Sequence, residues 1–167
     1  MNKYLKLAKE AAQNGMRSEE GGPFGAVITN KVGEIIAVGN NQVLKQNDPT
    51  AHAEVVAIRN ACKQLNTYDL SDYILYTSCQ PCPMCLSAII WANIKEVYYA
   101  CTKEDAAEIG FRDDMIYSYL KGETKDLIEM KQIDREECKE LFDEYKKNNK
   151  VIYWQWKKSE MLHFRFL

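Results

Sequence analysis

The chain has 167 residues, 46% of them apolar, which suits the core of one domain and falls short of two. A formal charge of −2, a pI near 5.8 and no dense Lys or Arg run before the C-terminal tail lack the broad basic footprint of a nucleic-acid binder, and favour a small substrate. The opening MNKYLKLAKE lacks a signal-peptide core, no apolar span is long enough to cross a bilayer, and six cysteines in such a chain point to metal binding, catalysis or burial rather than disulfides; a cytoplasmic protein is expected.

Helical periodicity at Tyr4, Leu7, Ala8, Ala11 and Ala12 predicts a first helix over 2–16, ended by Asn14-Gly15. Residues 24–29 and 34–38 read as strands joined by the turn Asn30-Lys31-Val32-Gly33. Asp48 and Pro49 have the form of an N-cap and a first helical residue, followed by a stripe at Val55, Ile58, Cys62 and Leu65, so a second helix is expected to start there. A strand over 73–77, an almost wholly apolar helix over 83–94 and a strand over 96–101 make a β-α-β unit. A helix over 113–120, a fifth strand over 127–133, and a helix over 134–148 with its stripe at Cys138, Leu141, Phe142 and Tyr145 complete the chain. The implied fold is α/β: a three-layer α/β/α sandwich around a mixed sheet of about five strands.

The chemistry concentrates in TSCQPCPMCL, residues 77–86. Pro81 and Pro83 are tolerated only at or before a helix start, which places Cys82 and Cys85 in a first helical turn, three apart and on one face. The positive end of a helix favours thiolate, the form that binds metal. His52 stands at the start of the preceding helix. If the strands bring the two helix starts together, one His and two Cys form a three-ligand zinc site with an open fourth position, as catalytic zinc requires. Glu54, two residues on, does not share His52's face and is better placed to move protons beside the metal than to bind it. An iron–sulfur cluster would need four thiolates, and no fourth cysteine has a suitable spacing; a closed structural zinc site would have no use for Glu54. Cys79, Cys62, Cys101 and Cys138 read as small buried hydrophobes. Asn41, at a strand end, can donate to a ring nitrogen or carbonyl oxygen, and Phe24 and Trp91 offer aromatic faces.

His52-Ala53-Glu54 followed by Pro81-Cys82-Pro83-Met84-Cys85 matches the H-x-E…P-C-x-x-C signature of zinc-dependent nucleobase deaminases. With GGPFGAVI (21–28), GNNQV (39–43), NDPTAHAE (47–54) and DAAEIGFRDDMIY (105–117), the chain resembles the bacterial guanine deaminases of the cytidine/deoxycytidylate deaminase family over nearly its whole length to Tyr153. The resemblance implies one Zn²⁺ per chain held by His52, Cys82 and Cys85, Glu54 as proton shuttle, and hydrolysis of guanine, a purine base, to xanthine and ammonia. It carries to Asp113 the role of accepting guanine's N–H edge, and to Tyr153 that of capping the site. It also implies a homodimer with exchanged C-terminal segments, which would cover the second face of the apolar helix over 83–94. Residues 1–153 would then be the deaminase domain and 154–167 an extension. The first and third segments are shared with tRNA adenosine deaminases, an alternative reading beside that of a non-catalytic zinc-binding module. Two features depart from the family pattern: the 14-residue tail WQWKKSEMLHFRFL, and Arg112 beside Asp113.

Overall fold

The computed structural model describes residues 1–125 and 127–148. They fall into two compact units, one spanning residues 1–124 and a second beginning at Lys125.

The first unit opens with α1, Lys3–Arg17, whose N-terminus is capped by Asn2: its Oδ1 accepts from the backbone N–H groups of Tyr4 at 2.9 Å and Leu5 at 3.3 Å. Strands β1 (Gly25–Asn30) and β2 (Ile35–Asn40) form the expected hairpin. A short α2 (Val43–Gln46) leads to α3 (Ala53–Leu65), β3 (Tyr73–Cys79), α4 (Pro83–Trp91) and β4 (Glu96–Cys101). The unit closes with α5 (Lys103–Glu108) and α6 (Asp114–Leu120), and the second unit holds α7 (Arg135–Lys147). The sheet order is β2-β1-β3-β4; β1 pairs antiparallel with β2 and β3, and β3 pairs parallel with β4 through the α4 crossover.

Alternation along the strands separates two cores. Val27 and Tyr76 face α1 and pack with Tyr4 and Ala8. Ala26, Ile28 and Leu75 face the opposite side with Ala53, Ala57 and Ala61 of α3 and Ile89 of α4. The sandwich therefore has the expected three layers. Small residues at every fourth position let α3 lie close to the sheet, and Gly39 permits the closest approach, since a Cβ there would stand 2.5 Å from the Ala53 carbonyl oxygen. This contact fixes the start of α3 against β2.

Several elements differ from expectation. The sheet has four strands, because residues 127–133 form no strand: Leu127, Ile128, Met130 and Ile133 are exposed, and this stretch belongs to the second unit. An alternating pattern makes a strand only where another strand supplies the hydrogen bonds. The helix expected from Pro49 begins at Ala53, with His52 as N-cap residue. Asp48 is spent locally instead, its Oδ1 accepting from the backbone N–H of Thr50 at 2.8 Å and its hydroxyl at 2.7 Å. Helix α4 stops at Trp91, and Asn93, in the left-handed region, turns the chain toward β4. The short helices α2 and α5 carry too few residues to show a period. The boundary expected after residue 153 lies outside the described residues.

Candidate active site

Two helix starts and one strand end meet at the site. His52 and Cys82 are the N-cap residues of α3 and α4, both with extended backbone, and neither side chain caps its own helix. Both side chains are thus available to a ligand, and two positive helix ends converge on them. Cys85, one turn into α4, is fully buried. His52 Nδ1 lies 3.6 Å from Cys82 Sγ and 3.5 Å from Cys85 Sγ, and the three ligand atoms all fall within 4.8 Å of one another. Zinc bonds of about 2.3 Å to sulfur and about 2.0–2.1 Å to nitrogen at a tetrahedral angle separate nitrogen and sulfur by about 3.6 Å, so the donor set fits zinc.

The Cys82 thiol is held down to about 4, first by its hydrogen bond with Cys85 and then, against burial, by His52. The Cys85 thiol is pushed up by that same hydrogen bond and by burial, and His52 is raised by its hydrogen bond with Cys82. One thiolate is therefore ready, and the other keeps a proton that a metal would displace. Cys79 does not join the set: its Sγ donates to the Thr102 carbonyl at 3.3 Å, and burial pushes its thiol up to about 11.

Glu54, in the first turn of α3, is 6% exposed. Thr77 of β3, itself buried, donates from its hydroxyl to Glu54 Oε1 at 3.1 Å, and Cys85 Sγ donates to Oε2 at 3.4 Å. Burial is the main cause raising the Glu54 carboxyl above the ordinary carboxylate range. The result is a buried carboxyl, raised above its ordinary range, that touches the metal-ligand cluster.

The site opens into a cavity of about 520 Å³ lined by His52, Glu54 and Cys82 and, on other segments, by Phe24, Asn41, Phe111 and Asp113. Asn41 is 3% exposed, and its Oδ1 accepts from the backbone N–H groups of Gly22 at 3.3 Å and Val43 at 3.2 Å. The carbonyl end of the amide is thereby occupied, which leaves Nδ2 as the end offered to a ligand. Asp113, just before α6, is half-buried, and burial first, then the Cys82 charge, raises its carboxyl. Arg112 is drawn away from it by a two-point pair with Asp114, at 3.1 Å for each bond. Trp91 is not among the cavity-lining residues; it stands at the end of α4 and is exposed. Tyr153 lies outside the described residues.

The sequence profile of the cytidine and deoxycytidylate deaminase zinc-binding region matches residues 1–101. The chain belongs to this deaminase family. It is 60% identical over 117 residues to guanine deaminase of Bacillus subtilis, an alignment covering 70% of this chain and 74% of that protein. The crystal structure of a guanine deaminase from Bacillus subtilis superimposes with a TM-score of 0.84 at 48% identity, covering 92% of this chain and 100% of that one. A tRNA-specific adenosine deaminase of Buchnera aphidicola is more distant, 34% identical over 146 residues, 87% of this chain and 91% of that protein. The family is a zinc-binding one, and among the described residues His52, Cys82 and Cys85 are the cluster able to hold a metal ion.

Two residues of the site, Thr77 and Phe111, carry no sequence signal of their role there. Thr77 reads in the sequence as a strand position, and nothing local marks it as the donor to Glu54. Phe111 lay inside the DAAEIGFRDDMIY segment without a function, and its neighbour across the cavity, Phe24, is far away in the chain.

Proposed function

We propose that the protein is a zinc-dependent aminohydrolase that converts guanine to xanthine and ammonia. The observation that carries the chemistry is Glu54: a buried carboxyl held by Thr77 at one oxygen, touching the three-ligand centre with the other, and opening on a cavity with polar groups for a flat heterocycle. The substrate assignment is supported by the 60% identity to a guanine deaminase.

Zinc held by His52, Cys82 and Cys85 supplies Lewis-acid activation of water near neutral pH. Glu54 takes a proton from the attacking water as its oxygen bonds to C2 of guanine, and passes that proton to the adjacent ring nitrogen. It then delivers the second water proton to the exocyclic nitrogen, the C2–N bond breaks, and ammonia leaves. Asn41 Nδ2 donates to a ring nitrogen or the carbonyl oxygen of the base. Asp113 accepts from the N–H edge, and Phe24 presents its ring to the purine face. Ammonia release assayed with guanine, cytosine, adenosine and an anticodon stem-loop tests the reading. Turnover of guanine is expected; turnover of the stem-loop alone would favour a tRNA adenosine deaminase, and silence with all four a binding module.

The protein is further proposed to be a cytoplasmic homodimer. Leu86, Ile90 and Trp91 leave an exposed apolar face on α4, beside the exposed Tyr98 and Tyr99 of β4, and a second copy would cover it. None of the described helices is long and apolar enough to cross a membrane. Light scattering at micromolar concentration should report a dimer, and cell fractionation the location. A chain stopped after Tyr153 should keep activity and one stopped after Asn149 should lose most of it; equal activity would remove Tyr153 from the site.

A further inference from the structure

Residues 102–117 bring Asp113 to the cavity, yet their polar bonding is almost entirely local. Thr102 and Asp105 form a reciprocal capping box on α5, Phe111 N–H donates to the Ala106 carbonyl at 3.0 Å, and Ile116 N–H donates to the Asp113 carbonyl at 2.9 Å. Lys103 lies over the Tyr117 ring, and Arg112 pairs with Asp114. Among the described residues, every hydrogen bond and ion pair of residues 103–117 closes within residues 102–124. Nothing polar in that set ties the Asp113 carboxyl to the sheet.

An aromatic contact does. The Phe111 ring meets Phe24 edge to face, with centroids 5.0 Å apart and planes at 89°. Such a pair has a defined geometry and is worth more than its buried area alone. The backbone around it is shaped for the contact. Gly110, at φ +95°, turns the chain just before Phe111 in a conformation that side-chain-bearing residues rarely adopt. On the other side, a Cβ on Gly22 would stand 2.9 Å from Phe111 Cζ and 3.0 Å from Phe24 Cε2, so a side chain there would force the rings apart. The Phe24 carbonyl also accepts from the Asn41 N–H at 3.0 Å. The ring pair therefore links the segment carrying Asp113 to the segment carrying Asn41.

We propose that Phe111 is a positioning residue: edge-to-face packing on Phe24 over Gly22 latches residues 103–117 and sets where the Asp113 carboxylate stands relative to Asn41 and the substrate. This rests on the proposed guanine reading, in which Asp113 accepts from the base. Phe111 acts through Asp113 on substrate affinity, while proton transfer by Glu54 is left as it was. The latch also explains why an exposed phenylalanine sits on a segment whose hydrogen bonds and ion pairs, among the described residues, are otherwise local.

The test is a double-mutant cycle with guanine as substrate, in the zinc-loaded full chain. Phe111→Leu should raise KM about three- to tenfold, the range of an aromatic pair's worth, with kcat within about twofold. Phe111→Tyr, which keeps the ring, should restore KM. In an Asp113→Asn background, Phe111→Leu should raise KM by less than about twofold, because the group it positions is already disabled. An equal KM increase in both backgrounds, or a fall in kcat with KM unchanged, would overturn the proposal. Hydrogen–deuterium exchange supplies a readout independent of turnover: Phe111→Leu should speed exchange across residues 103–117 and leave α3 and β3 protected. Unchanged exchange there would refute the latch. Wild-type protein inert toward guanine would refute the proposed function, with the latch then decided by exchange.

Discussion

Replacing Glu54 by Gln isolates proton transfer from metal binding and packing. The side chain is buried and has nearly the same shape, and a Gln carbonyl can still accept the Thr77 hydroxyl that now bonds Oε1 at 3.1 Å. What is lost is an acidic oxygen at the position of Oε2, 3.4 Å from Cys85 Sγ. General acid–base catalysis contributes about 10²–10⁴-fold, or about 2.7–5.4 kcal/mol of barrier, and kcat should fall by that factor. The retained Thr77 bond should keep unfolding free energy within about 1 kcal/mol of wild type. Ammonia release from guanine, zinc content by plasma mass spectrometry and a urea melt on one preparation provide the three numbers. A variant that loses its zinc, or keeps kcat within tenfold of wild type, would refute the assignment of Glu54 as proton carrier.

Thr77→Val removes the donor to Glu54 and should cost about 1–3 kcal/mol in a denaturant melt, the penalty of an unpaired buried acceptor. Because the hydroxyl lowers a carboxyl that burial raises, its loss raises the carboxyl further; the reaction needs carboxylate, so the acid limb of kcat/KM should move to higher pH, and a shift to lower pH would contradict the reasoning. Asn41→Asp keeps an acceptor for Gly22 and Val43 but loses the Nδ2 donor, and should raise KM for guanine about 10–100-fold while zinc content stays constant. Zinc titrated into the metal-free protein near neutral pH should release at least one proton per ion, from Cys85, whose thiol is pushed up, and from the protonated fraction of His52, which is raised; apparent affinity, followed with a competing chelator, should weaken as pH falls. Cys82→Ala should abolish stoichiometric zinc binding in the same titration.

The cluster able to hold a metal ion was legible in the sequence because its information is local. Pro81 and Pro83 mark a helix start, a three-residue step puts Cys82 and Cys85 on one face, and H-x-E places a carboxyl beside an imidazole without sharing its direction. The β-α-β unit and the first hairpin were legible for the same reason, since hydrophobic period and turn residues are read within a few positions. Tertiary structure decided what depends on partners distant in sequence. Whether residues 127–133 form a strand turns on a neighbouring backbone to bond with, and none of the described strands pairs with them. Which oxygen of Glu54 is held by Thr77 and which touches Cys85 depends on two other elements, and which end of the Asn41 amide is occupied follows from the N–H groups of Gly22 and Val43. Phe111 gains a role only when folding sets it against Phe24, because an edge-to-face ring contact is made in space and leaves no spacing in the chain to read.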